Sequence, residues 1–135
     1  MSLKIEVKEQ RKGVYVVSPI GRLDTETYIE FGEKIKQYLG EETKILIFDL
    51  EKLNYISSIG LGVVFQAKKT IETRKGVFIL TNFQPQIKKI FEVVKALPDN
   101  PVFENMEEVD KYLDLIQKTE LEKQDGTSQE KTDEV

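Results

Sequence analysis

The spacing of apolar residues divides the chain into strand-like and helix-like segments. "KIEVKEQ" and "GVYVVSPIG" resemble two strands, with β-branched and aromatic residues concentrated in the second, and the "RKG" between them predicts a turn. "TKILIFDL" and "KGVFILTN" are nearly continuous apolar runs, which is typical of strands covered on both faces. The pattern predicts an N-terminal hairpin followed by buried parallel strands.

Helical spacing of apolar residues separates these strands. The first predicted helix carries its apolar face at Tyr28, Phe31, Ile35 and Tyr38 or Leu39. Asp24 and Thr25 are its predicted N-terminal capping pair, and Gly40 is its predicted end. The second predicted helix follows two serines and carries one stripe at Leu61, Val64, Lys68 and Ile71. Both helices are therefore amphipathic and belong on the surface of a sheet.

The C-terminal third predicts two more helices and a tail. One helix spans about Pro85 to Leu97, and "PDNP" ends it. After a short strand near Val102, a last helix carries apolar residues at Met106, Val109, Tyr112, Leu113 and Ile116. Residues 119–135 have almost no apolar side chains, and we expect them to form a disordered acidic tail. The predicted domain comprises residues 1–118.

These elements predict an α/β fold. Their order is β-β-α-β-α-β-α-(β)-α, which gives a mixed sheet of four to five strands, an N-terminal hairpin plus parallel strands, packed against about four helices. The chain has 135 residues, which suits a single domain.

Charge and composition exclude several function classes. The net charge is -4, and residues 118–135 hold three lysines against six acids, so the rest of the chain is nearly neutral. A nearly neutral domain argues against nucleic-acid binding. Because the chain has no cysteine and no histidine, thiolate metal sites and imidazole catalysis are excluded. No apolar run approaches the roughly 18 residues of a membrane span, and we expect a cytoplasmic protein without direct membrane insertion.

Two common hydrolase motifs are absent from the sequence. There is no Gly-x-Ser-x-Gly elbow and no Gly-x-x-x-x-Gly-Lys-Ser/Thr loop, so a serine or nucleotide hydrolase is the least supported alternative. Asp24 and Asp49 could bind a cation together, but each has a structural explanation, Asp24 as a helix cap and Asp49 as a strand end. We therefore expect no enzyme, no cofactor and no metal site.

Ser57 and Ser58 are the candidate site. One serine is explained as the N-cap of the second helix. The other, in the first turn, lies where the helix dipole favours a phosphate. The helical wheel places Ile59, Gly62, Val63 and Gln66 opposite the predicted buried stripe. An exposed apolar pair beside a modifiable serine is typical of a docking surface.

The chain resembles the STAS domain family of bacterial anti-sigma-factor antagonists. The resemblance rests on "GRLDTET", on "ILIFDLEKLNYISSIGLG" and on "GVFILTN", and it covers roughly residues 3–117. The family loop usually reads Asp-Ser-Ser/Thr/Ala-Gly-Leu-Gly, with phosphorylation of the serine after the aspartate. That serine corresponds to Ser58, with Ser57 as second choice, and Asp24 matches an acidic residue near the kinase-facing surface. Two positions differ, because Ser57 replaces the usual aspartate and Ile59 replaces a small or hydroxyl residue.

The resemblance implies a regulatory function by partner switching. The unphosphorylated protein, expected to be a monomer when free, would bind an anti-sigma factor that has serine kinase activity. The binding residues would be Asp24, Ser57, Ser58, Ile59, Gly62, Val63 and Gln66. Phosphorylation would release the partner. The alternative is a phosphorylation-independent STAS adaptor or scaffold, for example in a membrane-transport complex, and the missing aspartate favours it.

Overall fold

The computed structural model describes residues 3–93 and 102–124, with the backbone alone for residues 91–93, 102 and 117–124. The strands are β1 (Leu3–Arg11), β2 (Val14–Leu23), β3 (Ile45–Asp49), β4 (Leu53–Ile56), β5 (Val77–Thr81) and β6 (Val102–Phe103). The helices are α1 (Tyr28–Lys36), α2 (Ser58–Thr73), α3 (Pro85–Val93) and α4 (Met106–Gln124). The described residues up to Glu104 form one compact unit, and those from Asn105 onward, which contain α4, form a second.

The strands form one mixed sheet in the order β1-β2-β3-β5-β6, with β4 paired to β2. β1 and β2 are the predicted antiparallel hairpin, and Gly13 occupies its turn with φ +78. All other described strand pairs are parallel. The sheet and the four described helices confirm the predicted α/β fold class.

β2 continues to Leu23, beyond the predicted segment, because its first part pairs with β3 and its last part pairs with β4. β3 pairs with Val14–Val17, and β4 pairs with Gly21–Leu23. Pro19 lies between these two stretches and has no register partner in β3 or β4. Its missing N–H therefore costs no hydrogen bond to either strand. The apolar pattern does not predict β4. It has only four residues, and two of them, Asn54 and Tyr55, are exposed.

The core lies between the sheet and the helices of the first unit. Phe48 of β3 contacts Phe31 of α1 and Phe78 of β5 edge-on, with ring centroids 5.8 and 5.0 Å apart. Each such pair contributes roughly 0.5–1.5 kcal/mol beyond the area that it buries. α2 packs on this core through Leu61, Val64, Ala67 and Ile71. The predicted buried stripe of α2 is confirmed at its apolar positions, while Lys68 forms an ion pair with Glu72 at 3.0 Å.

The ends of α1 differ from the prediction. The helix begins at Tyr28, with Thr27 as its N-cap, so the predicted Asp24–Thr25 capping pair is wrong. The reason is a tight turn before the helix, in which the Asp24 carbonyl oxygen accepts the N–H groups of Thr27 at 3.2 Å and Tyr28 at 2.9 Å. α1 ends at Lys36, before the predicted stop at Gly40.

The C-terminal elements are described only in part. α3 is described to Val93, and the predicted continuation to Leu97 lies outside the described residues. α4 continues to Gln124, past the predicted boundary at residue 118. Its N-terminus is capped by Asn105, whose Oδ1 accepts the Glu108 N–H at 3.0 Å. The remainder of the predicted tail, residues 125–135, lies outside the described residues.

Candidate functional site

The two adjacent serines lie where β4 ends and α2 begins. This junction, Ser57 and Ser58, is called here the serine step. The Ser57 N–H donates to the Leu23 carbonyl oxygen at 2.9 Å, which connects the serine step to the end of β2. Ser57 has extended backbone, with φ -89 and ψ 171, and its Oγ accepts the Gly60 N–H at 3.1 Å. Ser57 is therefore the N-cap of α2, and its side chain is occupied by capping.

Ser58 is the first residue of α2, and its side chain is exposed. Its hydroxyl makes no hydrogen bond within the part of the chain that the structure describes. The first turn of α2 also contains no acidic side chain. Ser57 is thus used as a helix cap, whereas Ser58 has an exposed hydroxyl.

Gly60 brings α2 into close contact with the end of β2. A Cβ atom at this position would lie 2.7 Å from the Leu23 carbonyl oxygen, 2.9 Å from Leu23 Cγ and 3.1 Å from Ile56 Cγ1. A Cβ atom at Gly62 would meet nothing within 4 Å. Gly60 is therefore required for packing, whereas Gly62 leaves the exposed face of α2 open.

Asp24 is held in the turn beside this step. Its Oδ1 accepts the Glu26 N–H at 3.0 Å and the Thr27 hydroxyl at 3.3 Å, and its Oδ2 accepts Arg22 Nε at 3.3 Å. The Glu26 N–H bond, followed by the Arg22 and Thr27 bonds, keeps the pKa of Asp24 below its usual value, although desolvation opposes this. Asp24 is therefore a fixed carboxylate with 15% of its side chain accessible.

Arg22 and Tyr55 form a further pair at the same strand ends. They are register partners on β2 and β4, and the guanidinium carbon lies 4.3 Å from the centroid of the Tyr55 ring. This is a cation–π contact. The guanidinium is thus positioned both by an aromatic face and by the Asp24 carboxylate.

The predicted face of α2 is exposed only in part. Ile59 has 38% of its surface accessible, and Gly62 and Gln66 are exposed. Val63 was predicted to be exposed with Ile59, but it is half-buried because it faces α1 across Gly32. Val63 and Gln66 line a groove of about 630 Å³ between α1 and α2, whose opposite wall includes Ile29.

The two aspartates considered for a cation have structural roles. Asp49 Oδ1 accepts the Glu51 N–H at 3.1 Å and Asn82 Nδ2 at 3.0 Å, while Asp24 is engaged as described above. Among the side chains that the structure describes, no group of three or more acidic residues is arranged to hold a metal ion. Within residues 3–93 and 102–124, no helix combines the length and apolar character needed to cross a membrane.

Comparison with known proteins decides the family. A family model described as the STAS domain matches residues 6–109. The chain belongs to the STAS domain family. This STAS domain is 28% identical over 107 residues to the anti-sigma-B factor antagonist of Listeria monocytogenes. The aligned region covers 79% of this chain and 93% of the relative.

Solved structures have the same STAS fold. The unphosphorylated form of the anti-sigma factor antagonist SpoIIAA superimposes with a TM-score of 0.69 at 22% identity, covering 81% of this chain and 96% of that one. The phosphorylated form of the Bacillus SpoIIAA superimposes with a TM-score of 0.65 at 22% identity, covering 81% of this chain and 99% of that one. At this identity, the similarity establishes the fold.

The sequence of this STAS domain indicates Ser57 and Ser58 as the candidate site but does not indicate all of the residues around them. The main-chain bond from Ser57 to Leu23 brings the serine step beside the turn that holds Asp24. Arg22 and Tyr55 were missed because Tyr55 lies on β4, a strand that the apolar pattern does not predict. Ile29 was also missed. It is 59% exposed on α1, and its apolar side chain lies outside the Tyr28, Phe31, Ile35 stripe.

Proposed function

We propose that this STAS domain is an anti-sigma-factor antagonist that acts by partner switching, controlled by phosphorylation of Ser58. The observation that carries the proposal is the difference in role between the two serines. Ser57 caps α2 through its hydroxyl oxygen, whereas the Ser58 hydroxyl is exposed. The relative from Listeria monocytogenes is named an anti-sigma-B factor antagonist, and SpoIIAA is described in unphosphorylated and phosphorylated forms. These names support the same function here.

The proposed partner surface combines the serine step with the exposed face of α2. Ile59 provides apolar contact, exposed Gly62 permits close approach of a partner, and Gln66 provides hydrogen-bonding groups. Val63 contributes from the groove, and Asp24 adds a fixed negative charge at the edge. The partner is proposed to be an anti-sigma factor with serine kinase activity, and the free chain to be a cytoplasmic monomer.

Phosphorylation of Ser58 would act through charge and desolvation. A phosphoserine carries about -1.5 to -2 charges at neutral pH, and binding the partner over it would remove water from that charge beside apolar Ile59. Inside the free protein the phosphate is tolerated, since Ser58 is exposed and the first turn of α2 contains no acid. The switch therefore releases the partner without unfolding the domain.

A titration of variants tests this proposal. The partner is first isolated by affinity capture on the immobilised chain, identified by mass spectrometry, purified, and titrated calorimetrically. Ser58→Ala should bind like the unmodified parent, and Ser58→Asp should bind at least about tenfold more weakly. Gln86→Glu, which adds the same charge at an exposed position on α3, is the matched control and should bind like the parent. Equal affinities for Ser58→Ala and Ser58→Asp would contradict control at this residue.

A second candidate is an adaptor whose binding does not depend on phosphorylation. The identity of residue 57 favours it, because a neutral capping serine stands where the family usually has an aspartate. In that case the same capture should recover a partner without kinase activity. Ser58→Asp should then bind that partner as tightly as the parent does.

A further inference from the structure

Arg22, Asp24 and Tyr55 form a cluster at the ends of β2 and β4, called here the Arg22 cluster. The Arg22 guanidinium lies against Tyr55, 4.3 Å from the ring centroid, and its Nε donates to Asp24 at 3.3 Å. Within the described residues, Nε makes the only hydrogen bond of this guanidinium, which leaves its terminal nitrogens available. The Arg22 side chain remains 51% exposed. It is therefore oriented but accessible.

The Arg22 cluster lies on the two strand ends that lead into Ser57 and Ser58. Arg22 pairs with Tyr55 in the parallel register, Leu23 pairs with Ile56, and the next residue, Ser57, donates its N–H to Leu23 at 2.9 Å. Side chains alternate along a strand, so Arg22 lies on the face opposite buried Leu23. The guanidinium is thus held at the strand end from which the chain passes into Ser58 and α2.

We infer that Arg22 binds the phosphate group after Ser58 is phosphorylated, exchanging its contact with Asp24 for the phosphate. This inference rests on the proposed function, because it takes Ser58 as the modified residue. The planar guanidinium matches phosphate oxygens through paired N–H donors, and a phosphate dianion attracts it more strongly than a carboxylate that contacts Nε alone. Tyr55 keeps the guanidinium plane fixed, which lowers the entropy lost when the new pair forms.

The exchange would give phosphorylation two effects on the partner surface. It adds negative charge at the start of α2, and it draws Arg22 away from Asp24, whose carboxylate then loses its nearest cation. A partner that recognises the Arg22–Asp24 pair would lose this contact together with the neutral serine. Arg22 is thus a positioning residue for the phosphate and a determinant of the switch.

The test uses the full chain with phosphoserine incorporated at position 58 during synthesis, so neither a kinase nor a partner is needed. Phosphorus NMR across a pH titration measures the second pKa of the phosphate. Arg22→Gln should raise this pKa by about 0.5 or more, because a nearby cation stabilises the dianion. Arg22→Lys, which retains the charge but not the planar donors, should raise it less. The Arg22 Nε–Hε NMR signal should also differ between the phosphorylated and unmodified chains.

Lys52→Gln is the matched control, because it removes one exposed positive charge from the loop whose carbonyl oxygen binds the Gly21 N–H. Because Asp24 loses its paired cation only in Arg22→Gln, both variants are also compared in an Asp24→Asn background, where this carboxylate is absent. A larger pKa rise for Arg22→Gln than for Lys52→Gln supports the inference, and equal rises overturn it. Absence of phosphoserine in the organism would remove the proposed function and leave this measured pairing unaffected, so the two failures are distinguishable.

Discussion

The Ser57 hydroxyl accepts the Gly60 N–H at 3.1 Å, and this contact assigns different roles to two adjacent serines. Ser57 satisfies an unpaired donor of α2, while Ser58 keeps an exposed hydroxyl. The bond also orients the first turn of α2 against β2, where Gly60 contacts Leu23. The geometry of the proposed switch thus depends on a residue that is not itself modified.

The capping role predicts unequal effects on stability. Ser57→Ala should lower the free energy of unfolding by about 1 kcal/mol, since the Gly60 N–H loses its acceptor. Ser58→Ala, at an exposed position, should change it by less than about 0.5 kcal/mol. Urea unfolding followed by circular dichroism measures both variants. An equal loss for the two variants would contradict the division of roles.

The two glycines of α2 should respond oppositely to alanine. Gly60→Ala should destabilise the domain by about 1–3 kcal/mol, because the new Cβ would overlap Leu23 and Ile56. Gly62→Ala meets open space and should stabilise the helix by up to about 1 kcal/mol. Thermal unfolding of the two variants provides the comparison. A stable Gly60→Ala protein would show that α2 does not approach β2 this closely.

Asp24 should contribute to stability in a pH-dependent way. Its folded pKa lies below the unfolded value of about 3.9, so its contribution is present above the unfolded pKa and is lost as the pH falls through the folded pKa. Asp24→Asn should unfold at a lower temperature than the parent at neutral pH, and the difference should shrink in acid. Thermal melts from neutral pH down to about pH 2 measure it. A difference that stays constant over this range would contradict the assignment.

Ile59 should contribute to partner binding and not to folding. Its 38% exposure predicts that Ile59→Ala changes the unfolding temperature little. In calorimetric titration of the captured partner, the same variant should weaken binding about 5- to 30-fold, which corresponds to a loss of roughly 1–2 kcal/mol. Gln86→Ala on α3 is the control and should retain parental affinity. Unchanged affinity for Ile59→Ala would place the interface elsewhere.

Much of the fold could be predicted because local patterns dominate it. The run around Phe48 and the stripe through Leu61 and Ile71 are set by burial, and the structure buries all three. The start of α2 was also predictable, because a capping serine and a glycine determine it locally. The start of α1 was not predictable in this way. The Thr27 hydroxyl donates to the Arg22 carbonyl at 2.8 Å and accepts the Asp24 N–H at 3.0 Å, which stabilises a turn where a helix was expected to begin.

The missed parts of the site depend on contacts distant in sequence. Arg22 and Tyr55 meet only because β4 pairs with β2, and β4 was too short and too exposed to be predicted. Val63 is half-buried because α1 packs beside it at Gly32, which a helical wheel of α2 alone does not contain. The Arg22–Tyr55 contact and the burial of Val63 therefore depend on pairing between elements, which the periodicity of a single element does not indicate.

Mass spectrometry of the protein recovered from its own cells tests the central claim most directly. Intact-mass measurement followed by peptide fragmentation should detect a single phosphate located on Ser58, with Ser57 unmodified because its hydroxyl is engaged with Gly60. A change in the phosphorylated fraction between growth and stress would connect the modification to regulation. Unmodified Ser58 under both conditions would contradict the switch and favour the phosphorylation-independent adaptor.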